Sequence, residues 1–337
     1  MRNYILRRML VNIPVIVLVA TMVFMATSVL PGDFVAQRIA QQDPTSIDPA
    51  AREAQVQRIR EELGLDDPLG IRYLKYLGNL AQGDFGNSYQ TRQPALDSFK
   101  DGIPYTLQLS VMTLIIGIVT SVPIGIISAI RQDSIVDYFL RFFAILALAA
   151  PNFWVATMLL LYVVRFETVG QSFVGVDVSW MGWSLPLSTQ PLLWEDPVES
   201  MKLYAIPAVV GGLASGAGVM RLLRSQMLEV LRQDYIRTAW AKGMRERIVI
   251  TRHAMKNALI PVVTVLGLTF ATLLSGSVVF ENIFAIPGVG RKILLAIQAR
   301  DVPVVQAFVL IIATFVVFVN LGVDLLYGML DPRIRFS

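Results

Sequence analysis

Between Arg221 and Pro261 the chain carries Arg221, Arg224, Arg232, Arg237, Lys242, Arg245, Arg247, Arg252 and Lys256, against the acids Glu229, Asp234 and Glu246. His253, the single histidine of the 337 residues, lies in the same stretch, and there is no cysteine. Those residue types bound the available chemistry. Without cysteine there is neither a disulfide framework nor a thiolate metal site. One histidine excludes the paired-histidine zinc motifs, and no G-x-x-x-x-G-K-[ST] phosphate loop occurs. A membrane-embedded hydrolase would need a nucleophile–base set, and few such sets can be assembled from these residues. What the basic stretch can do is recognise another surface. Asp234 suits an N-cap and Gly243 the left-handed position after a helix end, so DYIRTAWAKG predicts a helix of about two turns. Tyr235 and Thr238 belong to it. Ile236, Ala239, Trp240 and Gly243 recur at i, i+3, i+4 and i+7 and form one ridge, flanked by Arg237 and Lys242. Ala239 and Gly243 are small and permit close approach, so Ala239→Asp is expected to block docking and leave membrane insertion intact. A second helix is expected from about Arg245 to Leu259, ending at Pro261. It would hold Arg247, Arg252, His253, Lys256 and Asn257 near a membrane surface. The pair is too small to fold alone. It is shaped to plug into a groove on a partner. The alternative is basic charge lying on lipid, although an interfacial helix usually shows a wider apolar face.

The elements around this segment are apolar. The chain is 55% hydrophobic and 16% charged, with mean hydropathy +0.59. Soluble domains average about 45–50% apolar and about 25% charged. A helix crosses a bilayer with roughly 20 apolar residues. Six stretches meet that length: Leu10–Leu30, Leu107–Ile130, Phe139–Val164, Tyr204–Met220, Pro261–Phe280 and Val304–Met329. The fourth is the shortest. The first could also be a signal peptide, but its apolar run exceeds the usual ~7–15 residues and no A-x-A site follows.

Basic residues collect on the cytoplasmic side of membrane proteins. Arg2, Arg7 and Arg8, then Arg131 and Arg141, the basic stretch itself, and Arg333 and Arg335 all fall on one side if the chain crosses six times. Both termini are then cytoplasmic. The opposite loops are more acidic, with Glu167, Asp177, Glu195, Asp196 and Glu199 between the third and fourth spans. The Phe284–Asp301 region, with Arg291, Lys292 and Arg300, departs from the pattern. The net charge of +4 thus reflects topology, and no nucleic-acid partner is implied. The long segment after the first span should contain an amphipathic helix with Val56, Ile59 and Leu63 at helical spacing. Trp180, Trp183 and Trp194 suit interface anchoring.

Within the predicted spans the one acid is Asp324. It reads as a structural partner for an inner-face arginine or as an ion or proton relay, the latter being the coupling group of an ATP-independent carrier or channel. Carriers also tend to show internal repeats, and none is visible. Gly212 and Gly216 make a G-x-x-x-G within a glycine cluster of the fourth span, which suits close helix packing or a moving interface. Pro123 and Pro151 are expected to kink or end their helices. Polar residues near span ends that could line a solute path are Asn152, Ser275, Ser277, Glu281 and Asn282, each of which could equally be a packing residue.

The chain resembles the permease subunits of ATP-binding-cassette importers. It is most like the first (B-type) permease of the dipeptide/oligopeptide and nickel branch. The likeness runs through YILRRML, LPGD at Leu30–Asp33, LGLDDPL at Leu63–Leu69, GDFGNSY at Gly83–Tyr89, PNFW at Pro151–Trp154, FAIPGVGR at Phe284–Arg291 and VDLLYGMLDPRIR at Val323–Arg335. In the family's cytoplasmic "EAA" loop, Arg237, Thr238 and Ala239 take the E-A-A positions and Gly243 matches the glycine. The resemblance implies an all-α, polytopic, six-helix fold of the type I importer (MetI-like) class, multi-pass in the bacterial inner membrane. It implies an N-terminal tail and first span at 1–30, an outer loop at 31–103, a permease core at 104–330 with its coupling loop at 221–260, and a cytoplasmic tail at 331–337. It further implies no cofactor on this chain, with ATP and Mg used by two partner ATPase subunits or domains. A second homologous permease and a periplasmic or lipid-anchored solute-binding protein complete the expected assembly, within membrane lipid. The Asp234–Gly243 helix would be the coupling helix, and the Phe284–Arg291 loop would face the receptor. The expected solute is a short peptide.

Overall fold

The computed structural model describes residues 2–29, 49–62, 64, 66–169 and 190–330. Trp180, Trp183, Leu63, Asp177 and the 331–337 tail lie outside them. In chain order the helices are α1 (Arg2–Val29), α2 (Pro49–Glu62), α3 (Leu69–Ala81), α4 (Ala95–Ile130), α5 (Ile135–Ala149), α6 (Asn152–Val169), α7 (Pro197–Leu231), α8 (Asp234–Ala241) and α9 (Glu246–Ile248). A π-helical segment, Val249–Ala254, leads into α10 (Met255–Gly276), followed by α11 (Val278–Ile283), α12 (Val289–Gln298) and α13 (Val302–Leu330). Among the described residues there is no strand, only an isolated bridge between Asn87 and Pro94.

Five runs are long and apolar enough to cross a bilayer: Met9–Ser28, Ala95–Ile130, Pro197–Leu231, Glu246–Leu274 and Val302–Val323. A further apolar pair, Ile135–Ala149 and Asn152–Val163, meets at 91° and makes a sixth candidate if the two helices act as one broken span. Pro151 accounts for the break. It has no N–H to continue the helix and pushes the preceding residue toward extended backbone; Ala150 is extended at φ −76°, ψ 127°. The break expected at Pro151 is therefore present, as an elbow between two helices. Pro123 lies inside α4 and does not end it.

Two other boundaries differ from expectation. Pro261 sits inside α10, so the fifth span begins at Glu246 and not at the proline. Interior proline is tolerated in membrane helices because neighbouring groups satisfy the freed carbonyl. The fourth span is no short segment. It is the 35-residue α7, and 67% of its apolar window is buried. Its ends were masked by polar residues with helical roles. Asp196 caps it, accepting from the N–H groups of Val198 and Glu199 at 3.1 and 3.0 Å. Pro197 occupies the first turn, where its missing N–H costs nothing. At the other end Arg221 and Arg224 interrupt the hydropathy while the helix continues to Leu231.

The chain forms two compact units, residues 1–102 with 292–315 and residues 103–291 with 316–337. In the first, Phe99 meets Phe308 edge-on at 5.3 Å. Gln306 Nε2 donates to Thr27 Oγ1 at 2.6 Å. Buried Asp301 accepts from Ser88 Oγ at 2.5 Å and from the Tyr89 N–H at 2.9 Å. In the second, α4 and α7 touch through glycines. A Cβ on Gly212 would lie 2.8 Å from Ile116 Cγ2 and 2.9 Å from the Thr113 carbonyl; one on Gly216 would lie 3.0 Å from the Gly117 carbonyl. The G-x-x-x-G of the fourth span is thus a close-packing seam, as small residues allow between membrane helices.

Candidate coupling site

Only Arg232 and Gln233 separate α7 from α8. Asp234, expected as the N-cap, is instead the first helical residue. Gln233 is the cap and bonds no backbone N–H with its side chain. Asp234 still favours this end by placing negative charge on the exposed N–H groups. Arg237 approaches it at 3.5 Å across open solvent. At the other end Gly243 has φ +72°, a conformation costly for any residue with a Cβ. Its N–H donates to the Trp240 carbonyl at 2.9 Å and the Met244 N–H to the Ala239 carbonyl at 3.4 Å, the paired bonds of a Schellman stop.

The predicted ridge does not form one outward face. Ile236 is 0% exposed and Ala239 6%, and both belong to a buried cluster with Leu223 and Met227 of α7, Val249 and Ala254 of the π segment, and Ala258 and Val262 of α10. Trp240 and Gly243 remain at the surface. Periodicity identified a stripe, and the chain spends half of it on its own core. The outward face is made instead by Asp234, Tyr235, Arg237, Thr238, Trp240, Ala241 and Lys242. Asn257 Nδ2 donates to the Tyr235 hydroxyl at 2.7 Å, tying α8 to the start of the fifth span. Arg232, Arg245, Arg247, Arg252 and Lys256 are also exposed, so cations outnumber acids around the segment. His253 is half-buried.

The expected helix Arg245–Leu259 is real in extent but not uniform. It begins as α9, widens to π geometry over Val249–Ala254, which includes Arg252 and His253, and then runs on as α10. Such widened turns are local departures from α geometry that recur at functional sites.

One charged pair went unread in the sequence. Asp137, in the first turn of α5, is 0% exposed. Arg224 Nε and Nη2 donate to its two oxygens at 3.0 and 2.7 Å. Ser128 Oγ also donates to it, and the Asp133 N–H donates at 3.1 Å. Ser134 caps α5 by accepting from the Asp137 N–H at 3.2 Å. The signal that could have found it is the S-x-x-D spacing of Ser134 and Asp137, a capping pattern. Arg224 also falls on the buried stripe of Met220, Leu223 and Met227. This pair fixes the turn between α4 and α5 to α7, ten residues before α8.

Two family models span nearly the whole chain. Residues 121–336 match the binding-protein-dependent transport system inner membrane component, and residues 1–110 match the N-terminal part of such membrane components. The chain belongs to this permease family. The dipeptide transport system permease protein DppB of Escherichia coli K12 is 38% identical, with 99% of each chain covered. The oligopeptide transport system permease protein AppB of Bacillus subtilis is 37% identical over 100% of each. Among solved structures, the MetNI methionine ABC transporter in its inward-facing form matches with a TM-score of 0.51 at 14% identity, over 70% of this chain and 97% of that one; that likeness concerns the fold alone. The chain is therefore a multi-pass inner-membrane permease subunit of an ATP-binding-cassette importer, a transport component and not an enzyme. Its family works in general with further permease, ATPase and solute-binding subunits.

The permease's polar residues near span ends divide by environment. Glu281 is 0% exposed. Its carboxylate accepts from Thr106 Oγ1 at 2.8 Å, from the Arg291 N–H at 2.9 Å and from Ser277 Oγ. Thr106 Oγ1 in turn accepts from the Val289 N–H at 2.8 Å. Gly288 lies so close over this carboxylate that a Cβ there would overlap it. The Phe284–Arg291 loop is thus folded onto Glu281. With Phe284, Ile286, Gly288, Val289 and Gly290 buried, it presents little outward surface. Asn152 and Ser277 line a cavity of about 250 Å3 with Ser110, Thr113, Ser215 and Thr272. The Ser110 hydroxyl, missed in the sequence, is buried there with no hydrogen-bond partner among the described residues. Asn282 is exposed. The side chains of Ser275 and Asp324 lie outside the described residues.

Proposed function

We propose that this permease carries short peptides across the inner membrane, driven through α8 by a separate ATPase. The reading of the solute rests on the dipeptide and oligopeptide permeases named above. In this reading the N-terminus, the 221–260 segment and the 331–337 tail face the cytoplasm, where the basic residues collect. The 31–103 segment faces outward, and 104–330 forms the permease core. Two ATPase subunits or domains bind and hydrolyse Mg-ATP; one of them receives the exposed side of α8. A second, homologous permease completes the path, and a periplasmic or lipid-anchored binding protein delivers the solute.

The observation that carries the proposal is the division of α8 into two faces. Ile236 and Ala239 bolt it to α7 and α10. Arg237, Thr238, Trp240 and Lys242 point away, and Arg247, Arg252, His253 and Asn257 flank them on the following segment. A helix fixed on one side and free on the other passes displacement to the spans, which is what coupling between distant sites requires. The solute path is proposed to pass the hydroxyl-lined cavity of Asn152 and Ser277. Asn282 and Ser275 would lie near its outer end, while Glu281 holds the adjoining loop and Asp324 stays structural.

Since the chain has no cysteine, a single Thr238→Cys or Trp240→Cys provides a clean crosslinking site. In an importing cell the reagent is expected to join it to an ATPase subunit, and ATP binding should change the yield. Products containing lipid alone would overturn the docking model. Uptake of labelled di- and tripeptides, measured in the same cells, tests the solute separately.

A further inference from the structure

Helix α3 has a polar side too narrow for a helix surrounded by water. At 3.6 residues per turn, Arg72, Lys75 and Asn79 fall on one strip, at i, i+3 and i+7. Next to that strip stand Ile71 and Leu74, 47% and 69% exposed, with Gly78 and Ala81 on the same side. The opposite side packs on α1. The Tyr73 and Tyr76 rings lie 5.3 and 5.5 Å from the ring of Phe24. The hydroxyls of Tyr73 and Thr21 are 2.7 Å apart. Thr21 gives its own proton to the Val17 carbonyl at 2.8 Å, so Tyr73 is the donor.

That hydrogen bond measures depth. The first span runs from Met9 to Ser28. Thr21 is therefore about 10 Å inside the Ser28 end, at roughly 1.5 Å per residue. A side chain of α3 reaches this level of the span, so the helix sits beside the membrane-embedded part of α1 and not above it. The apolar surface of α1 continues on the same level, with Leu18, Met22 and Met25 at least half exposed.

We propose that α3 is an interfacial helix, with Ile71 and Leu74 resting in lipid acyl chains and the Arg72–Lys75–Asn79 strip in the headgroup layer. A narrow basic strip against a broad apolar arc is the pattern of helices that lie in a membrane surface. Lys75 pairs with Asp67 at 2.6 Å.

The absence of native cysteine makes the test direct. Leu74→Cys and Lys75→Cys are labelled with an environment-sensitive fluorophore in the purified importer complex, which is then placed in phosphatidylcholine–phosphatidylglycerol nanodiscs. Brominated lipid is expected to quench the Leu74→Cys probe at least threefold more than aqueous iodide does, with the order reversed for Lys75→Cys. Iodide quenching at Leu74→Cys would put that side in water and overturn the proposal. Quenching by neither agent would mean that protein covers it, and would overturn it equally. Because both positions are exposed, a labelled complex keeps its fold; labelling of Leu74→Cys by a charged maleimide, about tenfold slower than Lys75→Cys, is the second expected reading.

Discussion

The guanidinium of Arg224 closes on both oxygens of Asp137, at 3.0 and 2.7 Å, inside a site that leaves Asp137 no exposed surface. Breaking such a pair from one side strands a buried charge and typically costs about 3–5 kcal/mol, whereas replacing both partners with apolar residues is often close to neutral. Arg224→Met alone is therefore expected to lower the amount of permease recovered from membranes and the midpoint of its thermal unfolding. Arg224→Met combined with Asp137→Leu should recover most of both. If the double variant proved as damaged as the single one, the pair would have a role beyond stability.

Ala239→Asp tests the core and not docking. Ala239 is 6% exposed, and a carboxylate there would sit among Ile236, Met227 and Val249 without a partner. Changes of this kind reach about 4 kcal/mol or more. The expected outcome is loss of folded protein, seen as protease sensitivity of the 234–262 segment. Arg237→Glu and Lys242→Glu alter only exposed side chains. They should leave thermal unfolding unchanged and reduce copurification of the ATPase, more so at low salt because exposed charges are screened.

The seam between α4 and α7 predicts a contrast between two glycines of α7, Gly212 and Gly218. Gly212→Val forces a side chain into Ile116 and the Thr113 carbonyl; overpacking of this sort costs about 1–3 kcal/mol. Among the described residues a Cβ at Gly218 meets nothing within 4 Å, so Gly218→Ala is expected to be neutral or stabilising by about 0.5–1 kcal/mol. Thermal unfolding of the two purified variants, side by side, measures this.

Glu281→Ala would leave Thr106, Ser277 and the Arg291 N–H facing one another without an acceptor. Each unsatisfied buried group costs about 1–3 kcal/mol. Limited proteolysis should then cut within Phe284–Arg291, while the unaltered protein, with that loop buried, is expected to resist. Were Glu281 instead a solute contact, the same variant would keep its proteolytic pattern and change the concentration dependence of uptake.

Much of this architecture could be read from apolar run lengths. The apolar helices and the basic stretch between the fourth and fifth runs were legible because the bilayer sets the length an apolar helix needs. Helix ends were not, since the residues that cap or extend a membrane helix are polar: Asp196 and Arg224 look like loop residues to a hydropathy window. Ala150 and Pro151 showed a possible break, but not a turn of 91°. The stripe of Ile236 and Ala239 was found correctly as a periodicity. Which way it faced was unreadable, because it depends on Leu223, Met227, Val249 and Ala254, which only the tertiary fold gathers. Asp137 was overlooked for the same reason. Its partner lies 87 positions later, and no local spacing connects them.

The two-residue join between α7 and α8 leaves almost no slack. A rod of 35 residues is about 50 Å long, and its far end begins at Pro197. Under the proposed coupling, a pull on the small helix would be passed along that beam, which the Arg224–Asp137 pair ties to the turn between α4 and α5. On that reading, the glycine seam with α4 would limit how far this arm could tilt before the two helices had to slide.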